Sequence, residues 1–331
     1  MPTVVITGAS AGVGRAVAHA FAQRGARLGL LARGETGLLA AREQCLALGA
    51  THVVTVPCDV ADAEAVDRAA AQMRDELGPV DVWVNNAMVS VFARTWDITA
   101  AEFRRVIEVN VLGTVHGTLA ALRQMRPRGR GVIVQVGSAL AYRGIPLQSA
   151  YCASKHAIQG FVDALRPELL RDCPGVKVTM VQLPALNTPQ FSWVRTRLPR
   201  HPQPVPPIFQ PEIAAEAVVW ASKHAPRELN VTARTGLVRL LNAVAPGLLD
   251  WYLARTGIEG QQADEPIDPA HWRDNLDRPL DADRDYGPHG IFGERARAFS
   301  PEVWVRTHLP LVAGAGALAA AGVTALVRAR R

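Results

Sequence analysis

The sequence has little of several features that assign a class of protein directly. Its 331 residues contain four cysteines and only 6% aromatic side chains. Cys45, Cys58, Cys152 and Cys173 are too few for a disulfide framework and lack the spacing of metal ligands, so we expect no bound metal. The mean hydropathy of +0.07 excludes a protein with many membrane spans.

A strong charge of either sign and a secretory signal are also missing. The 36 Lys and Arg residues exceed the 30 Asp and Glu residues by six, a weak excess that indicates no nucleic-acid partner. No basic stretch or cleavage site precedes the first apolar run at Val4–Ile6. We therefore expect a cytoplasmic protein with reduced cysteines.

The first 235 residues do contain a regular alternation of short apolar runs and longer helical stretches. The apolar runs are Thr3–Thr7, Arg27–Leu31, His52–Val56, Val80–Asn85, Gly131–Val136, Val176–Gln182 and Glu228–Thr232. The helical stretches include Gly14–Arg24, Thr36–Leu48, Ala61–Leu77, Ala100–Met125 and Ser149–Arg171. This alternation predicts an α/β fold in residues 1–235, a doubly wound parallel sheet of about seven strands with helices on both faces.

The alternation ends near residue 235, and a C-terminal extension follows. Residues 236–300 are predicted to be partly helical and then irregular, and residues 301–331 to form an apolar C-terminal helix. The stretch 309–327 has 19 residues without charge, which is long enough to span a bilayer. Seven of them are Ala and three are Gly, which weakens the tendency to insert into a bilayer and allows close packing of helices. The stretch is therefore compatible with a membrane contact and with a helix docked on the protein.

A loop with three spaced glycines follows the first apolar run. Gly8 suits a tight turn, Gly12 lets a diphosphate approach the backbone, and Gly14 allows the next helix to pack closely. The free N–H groups at the start of that helix attract phosphate. On the first strand–turn–helix unit of the series, this spacing predicts a dinucleotide site.

The end of the second apolar run indicates which dinucleotide binds. An acidic residue there accepts hydrogen bonds from a ribose hydroxyl, whereas a basic residue suits a 2′-phosphate. Arg33 stands at this position, and no acid occurs before Glu35. With Ser10 as a further hydroxyl donor, the sequence favours NADP(H), and NAD(H) is the alternative.

Asp59 and Val60 follow the third apolar run and are predicted to lie beside the cofactor. Asp59 can accept a hydrogen bond from an adenine amino group, and its alternative role is to cap the helix that begins near Ala61. Asp62 competes for that capping role, which favours a cofactor contact for Asp59.

Ser138, Tyr151 and Lys155 carry the predicted chemistry. Tyr151 and Lys155 are four residues apart on a helix, so the phenol and the ammonium share one face. A nearby cation lowers the pKa of a phenol, which can then exchange a proton with a substrate oxygen. The Ser138 hydroxyl can hold the same oxygen through a hydrogen bond.

Taken together, these motifs resemble those of the short-chain dehydrogenase/reductase family. The matching elements, in the family's order within residues 2–235, are Thr7, Gly8, Gly12, Gly14, Asp59, Asn85, Asn86, Ala87, Asn110, Ser138, Tyr151 and Lys155. The resemblance implies a hydride-transfer enzyme built on a Rossmann-type sheet. It also implies a homo-oligomer, because the family often pairs the helices that correspond to Ala100–Met125 and Ser149–Arg171.

The resemblance assigns roles to four catalytic residues. Tyr151 would be the general acid/base, Ser138 would orient the carbonyl or alcohol, and Asn110 would position a water in the proton relay. Lys155 would lower the pKa of Tyr151 and bind the nicotinamide ribose.

The resemblance also implies cofactor contacts outside the glycine loop, with two departures from the family pattern. The implied contacts are Thr7, Asn86, Ala87, Tyr151, Lys155, Pro184 and Thr188. Met88 and Ala185 stand where the family usually has glycine. Both departures affect the expected shape of the substrate site and leave the reacting groups in place.

A proline-rich flap between residues 185 and 211 is predicted to cover the substrate. Its apolar members, which include Phe191, Trp193 and Phe209, favour a lipophilic alcohol or ketone. The arginines among them fit an acidic substrate group equally well. A non-catalytic, membrane-associated protein that only binds nucleotide is the remaining alternative to an enzyme.

Overall fold

Seven parallel strands form the central sheet of the computed structural model, which describes residues 1–308. They are β1 (Thr3–Thr7), β2 (Arg27–Ala32), β3 (His52–Pro57), β4 (Val82–Asn85), β5 (Gly131–Ser138), β6 (Val176–Leu183) and β7 (Glu228–Asn230). Their spatial order is β7-β6-β5-β4-β1-β2-β3, with every neighbouring pair parallel. The order reverses between β1 and β4, so a crevice opens there at the carboxyl ends of the strands. The predicted doubly wound α/β fold is confirmed.

Helices cover both faces of this sheet. They are α1 (Gly12–Ala22), α2 (Glu35–Ala47), α3 (Ala63–Leu77), α4 (Ala100–Ile107), α5 (Gly113–Met125), α6 (Ser149–Asp172) and α7 (Pro211–His224). One apolar cluster lies under α1, α2 and α7, and a second lies under α3, α5 and α6. Val4 and Ile6 of β1 belong to the first cluster and Val5 to the second, as the alternation of side chains along a strand requires.

The predicted single helix from Ala100 to Met125 is interrupted. Between α4 and α5 the chain forms a π-helical segment, Glu108–Leu112. Such wide turns often mark functional positions. Here the segment contains Asn110, whose side chain makes its hydrogen bonds to residues outside the helix.

The C-terminal extension contains three helices and several short paired strands. The helices are α8 (Ala233–Val244), α9 (Pro246–Thr256) and α10 (Pro301–Thr307). Two strands of the extension pair with the flap: Gln262–Pro266 with Arg200–Pro202, and Ala296–Arg297 with Ile208–Phe209. Outside the extension, Arg195–Thr196 of the flap pairs with Val91–Phe92. Short helical turns occur at Thr95–Asp97, Ala139–Ala141, Gln190–Trp193, Glu259–Gln261 and Gly293–Arg295. The uncharged stretch 309–327 lies outside the described residues.

Residues 274–290 have no regular secondary structure and cross the carboxyl edge of the sheet; we call them the C-terminal strap. The strap accepts backbone hydrogen bonds from Gly12, at the start of α1, and from Gly37, in α2. Leu276 is fully buried and belongs to the apolar cluster under α3 and α5. The extension is therefore packed against the sheet domain.

An ion pair anchors the strap to α1. The Arg15 side chain is 0% exposed, and its guanidinium donates to the carbonyls of Ser10 and Gly37 and to Asp285 at 3.2 Å. Asp285 supplies the negative charge for this buried cation, which a protein interior requires.

Replacing Asp285 with alanine should therefore lower the free energy of unfolding. Because the Arg15 cation stays buried without its counter-charge, we expect a loss of about 1–3 kcal/mol in urea denaturation. Asp283→Ala removes the same charge from an exposed position of the strap and should change stability by less than about 0.5 kcal/mol. Equal losses in the two variants would contradict the anchoring role of the ion pair.

Candidate active site

A cavity of about 500 Å³ occupies the crevice at the carboxyl ends of β1 and β4. Ser10 and Arg33 lie at one end of it, and Ser138, Tyr151 and Lys155 at the other. The remaining predicted site residues on its wall are Gly8, Gly12, Asp59, Val60, Asn86, Ala87, Pro184 and Thr188. Thr7, Gly14 and Asn110 are predicted site residues that lie behind the wall.

The glycine loop has the backbone geometry that a diphosphate site requires. Gly8 and Gly12 have φ angles of +66° and +56°, a region that favours glycine. A Cβ on Gly14 would lie 2.1 Å from the Gly8 carbonyl oxygen, so only glycine allows this close approach. Helix α1 begins here without a side-chain cap; the Gly12 amide donates to the Gly287 carbonyl of the strap, and the next amides, of Val13 and Gly14, are left for an anion. The loop therefore fits a dinucleotide.

Thr7 and Asn86 hold this loop in place. The Thr7 hydroxyl accepts hydrogen bonds from the backbone amides of Asn86 and Ala87, at 2.9 and 3.1 Å. The Asn86 side-chain amide donates to the carbonyls of Thr7 and Gly8, at 3.0 and 3.2 Å. Thr7 thus shapes the loop from behind, whereas Asn86 also faces the cavity.

Asp59 has partners within the chain. One carboxylate oxygen accepts from the backbone amide of Ala61 at 3.0 Å, and the other pairs with Arg105 of α4. Burial alone would raise the pKa of Asp59, but these two donors outweigh it and hold the pKa below its usual value. Asp62 caps α3 by accepting from the amide of Ala65. The capping role thus falls to Asp62, and Asp59 remains on the cavity wall as an anion.

Arg33 lies on the cavity wall beside the strap. Its guanidinium donates to the carbonyl oxygens of Leu276, at 3.1 Å, and Asn275. Burial lowers the pKa of Arg33, and the charges of Asp59 and Asp281 act against this effect. Two of the five N–H donors of Arg33 bind the strap, and the remaining donors can bind an anion.

The predicted serine, tyrosine and lysine lie together on the cavity wall. Lys155 is 4% exposed, and its Nζ lies 5.5 Å from the centroid of the Tyr151 ring and donates to the Val136 carbonyl at 2.9 Å. Burial raises the pKa of Tyr151, and a hydrogen bond from Ser138 partly opposes the rise. Burial lowers the pKa of Lys155 to about 8. The expected lowering of the Tyr151 pKa by Lys155 is thus absent here, and burial disfavours the charged form of both side chains.

Asn110 holds the irregular segment that follows β4. Its side chain accepts from the amide of Val89 at 2.9 Å and donates to the Val89 carbonyl and the Ser154 hydroxyl, both at 3.0 Å. The side-chain amide is therefore engaged in hydrogen bonds within the protein. The role of Asn110 in positioning a water molecule stays a prediction, and the main chain of the π-helical segment would carry out that role.

The substrate side of the cavity is mainly apolar. Phe191, Trp193 and Phe209 from the flap lie on its wall, together with Leu249 and Leu253 from α9. The flap arginines are engaged in ion pairs. These pairs are Arg195 with Asp274 and Asp277, Arg197 with Glu102, and Arg200 with Glu259. This pairing weakens the alternative in which they bind an acidic substrate group.

Sequence reasoning missed Arg105, Asn275 and Asp281, which also belong to this site. Arg105 pairs with Asp59, Asn275 accepts from Arg33, and Asp281 lies on the cavity wall. Arg105 carries no signal beyond its place on a helix, and the other two lie in a segment without periodicity. Only contacts across the fold identify them.

Most of the sheet domain matches a known protein family. A family model described as short chain dehydrogenase matches residues 2–198. The chain belongs to the short-chain dehydrogenase family. It is therefore an NAD(P)-dependent dehydrogenase or reductase, as the motifs predict.

Members of this family similar to the chain come from several organisms. "Uncharacterized oxidoreductase YxnA" of Bacillus subtilis is 32% identical over 268 residues, which cover 80% of this chain and 75% of that protein. "Dehydrogenase/reductase SDR family member 7" of Homo sapiens is 36% identical over 54% of this chain and 53% of its own length. The 3-dehydrosphinganine reductase of Danio rerio is 32% identical over 65% of this chain and 67% of that protein. The chain thus spans between about half and three quarters of these relatives.

A solved alcohol dehydrogenase from the archaeon Thermococcus sibiricus, complexed with 5-hydroxy-NADP, has a similar fold. Its TM-score is 0.60 at 29% identity, and the match covers 70% of this chain and 95% of that chain. Within residues 1–308, no helix combines the length and hydropathy needed to cross a membrane.

The buried Lys155 has a consequence for stability that depends on pH. Its folded pKa of about 8 lies below the ordinary value of 10.5, so the buried ammonium destabilises the fold below about pH 8. Lys155→Met should raise the free energy of unfolding near neutral pH, by at most roughly 3 kcal/mol. The difference should shrink as the pH rises from about 8 towards 10.5, where the unfolded lysine also loses its proton.

Urea denaturation over this pH range measures the effect. The control is Lys177→Met, which removes an exposed lysine from β6 and should give a difference that does not change in the same interval. If Lys155→Met destabilises the protein throughout the range, the assignment of a costly buried ammonium is wrong.

Proposed function

We propose that the protein is an NADP(H)-dependent oxidoreductase that interconverts a hydroxyl and a carbonyl group on a lipophilic substrate. One observation carries the proposal: Ser138, Tyr151 and Lys155 meet at one end of a cavity whose other end holds the glycine loop and Arg33. That arrangement puts proton-transfer groups and a phosphate site in one cavity, as a bound dinucleotide requires.

In the direction of reduction, the side chains handle the proton and the charge. The bound nicotinamide supplies a hydride to the carbonyl carbon and accepts one in the reverse direction. The Ser138 hydroxyl donates a hydrogen bond to the carbonyl oxygen, and Tyr151 donates the proton that completes the alcohol. The Lys155 ammonium stabilises the phenolate that remains until a proton from solvent restores it.

Arg33 supports NADP(H) as the cofactor. Its guanidinium lies just after β2, where a 2′-phosphate binds in dinucleotide folds, and Ser10 lies on the wall of the same cavity. The alcohol dehydrogenase of Thermococcus sibiricus, which has a similar fold, was solved with an NADP derivative bound. NAD(H) is the alternative, and the relative affinity for the two nucleotides decides between them.

The apolar wall of the cavity supports a lipophilic substrate. Helices α8 and α9 contribute to this wall and also expose apolar side chains to solvent. The exposed set is Leu237, Leu240, Leu241, Val244, Leu248, Trp251 and Tyr252. The name of the 3-dehydrosphinganine reductase of Danio rerio indicates that a similar chain reduces a ketone. A long-chain alcohol or ketone fits these features.

Tyr151→Phe tests the proton transfer. Because the variant loses only the hydroxyl, turnover of a lipophilic ketone should fall by roughly 10²–10⁴-fold, while the dissociation constant for NADP⁺ changes far less. Initial rates and fluorescence titration measure the two quantities.

The matched control for this variant is Tyr142→Phe. Tyr142 donates its hydroxyl hydrogen to Glu228 and lies off the cavity wall, so turnover should stay near the wild-type rate. Full turnover by Tyr151→Phe would refute the mechanism, and nucleotide binding without turnover of any carbonyl by the wild type would favour the non-catalytic alternative.

We also propose that residues 309–331 bring the enzyme to a membrane surface. The uncharged stretch 309–327 precedes Arg328, Arg330 and Arg331, which suit lipid head groups. The full chain should sediment with vesicles that contain phosphatidylglycerol, and a chain ending at His308 should not. A full chain that stays in the supernatant would favour the alternative, a helix docked on the protein.

A further inference from the structure

The main chain of the strap approaches the part of the cavity wall that carries Arg33, where the adenosine of a bound dinucleotide would lie. The Asp281 carbonyl accepts from the amide of Gly37 at 3.0 Å, and the Ala282 carbonyl accepts from the Thr36 hydroxyl at 2.6 Å. Carbonyls of Asn275 and Leu276 hold Arg33 in the same way. These bonds fix the position of the strap and leave the Asp281 side chain unused.

The Asp281 carboxylate fills a space that two glycines leave open. A Cβ on Gly34 would lie 1.9 Å from its Oδ1, and a Cβ on Gly37 would lie 2.8 Å from its Oδ2 and 3.0 Å from the Ser10 Cβ. The carboxylate therefore lies between the glycine loop and the turn from β2 to α2. At Gly34 and Gly37, larger residues would displace it.

The same carboxylate is nearly buried and faces the cavity without a partner. Asp281 is 6% exposed and lies on the cavity wall with Ser10 and Arg33. Within residues 1–308, no hydrogen bond to its carboxylate is present, although the strap around it is well bonded. Its oxygens are not fully enclosed, so they remain open to the cavity and can accept a hydrogen bond from a bound ligand.

The ligand group that reaches this place is the 2′ position of the adenosine ribose. In dinucleotide folds that position meets the end of the second strand, where an acid accepts from a hydroxyl and an arginine binds a phosphate. This chain presents both charges there, Arg33 from β2 and Asp281 from the strap.

We propose that Asp281 is a specificity-determining residue of the cofactor site. Its carboxylate accepts a hydrogen bond from the 2′-hydroxyl of NAD(H) and repels the 2′-phosphate that Arg33 attracts. Arg33 and Asp281 thus act in opposite directions on the choice of cofactor. The inference rests on the proposed function only in requiring that the cavity bind a nicotinamide dinucleotide.

The ratio of the dissociation constants for NAD⁺ and NADP⁺ measures this choice without turnover. Asp281→Asn keeps the shape and removes the charge, so the ratio should rise in favour of NADP⁺ by about tenfold or more. Asp283→Asn makes the same change at an exposed position of the strap and should leave the ratio within about twofold. Arg33→Ala should lower it.

The outcomes separate this assignment from the proposed function. A ratio in Asp281→Asn that equals the wild-type value, or a rise as large in Asp283→Asn, overturns the role of Asp281. If the ratio is unchanged in Arg33→Ala but raised in Asp281→Asn, the role of Asp281 stands and the NADP(H) preference assigned to Arg33 is wrong. If no variant binds either nucleotide, both fail, whereas loss of turnover alone concerns only the proposed chemistry.

The double variant Arg33→Ala/Asp281→Asn tests whether Asp281 acts on the nucleotide itself. If it does, removing its charge should still raise the ratio relative to Arg33→Ala alone. An effect of Asp281→Asn that disappears in the Arg33→Ala background would mean that the carboxylate only weakens Arg33, and would overturn the direct contact. Thermal unfolding of each variant checks that the strap stays folded.

Discussion

The hydrogen bonds between the Asn86 side chain and the main chain of Thr7 and Gly8 join the carboxyl ends of β4 and β1. Parallel strands bond along their length, but nothing in the sheet itself fixes the loops that follow them. Here the amide holds the glycine loop at the point where the strand order reverses. The close approach of Gly14 to Gly8, the start of α1 and the mouth of the cavity all depend on that fixed loop.

Burial gives the catalytic end its character. Tyr151 and Lys155 lie where water has little access, so each is disfavoured in its charged form. The proposed proton-transfer pair therefore costs stability in the absence of ligands, as reactive sites commonly do. The same low polarity strengthens every electrostatic interaction once a substrate oxygen and a cofactor are in the cavity.

The sheet and the catalytic end could be predicted from the sequence because their signals are local. The apolar runs recur at regular spacing, the glycines follow the first strand, and Tyr151 and Lys155 share one helix turn. The π-helical turn at Asn110 could not be predicted, because it coincides with side-chain bonds to Val89 and Ser154 that close only in the folded chain.

The strap was also beyond sequence reasoning, for a related reason. Its residues have no periodicity, and they are held through main-chain oxygens, which every residue type carries. The role of Asp281 follows from the space at Gly34 and Gly37, far away in the sequence. Contacts of this kind depend on three-dimensional position, whereas strand and helix patterns depend on residue type.

The central claim is that the cavity transfers a hydride between a nicotinamide and a substrate carbon. The most direct measurement uses NADPH with deuterium at the transferable position of the nicotinamide and a panel of lipophilic ketones, with the products examined by mass spectrometry. We predict an alcohol that carries one deuterium on the carbinol carbon. An alcohol without deuterium, or no alcohol from any ketone despite bound cofactor, would contradict the account.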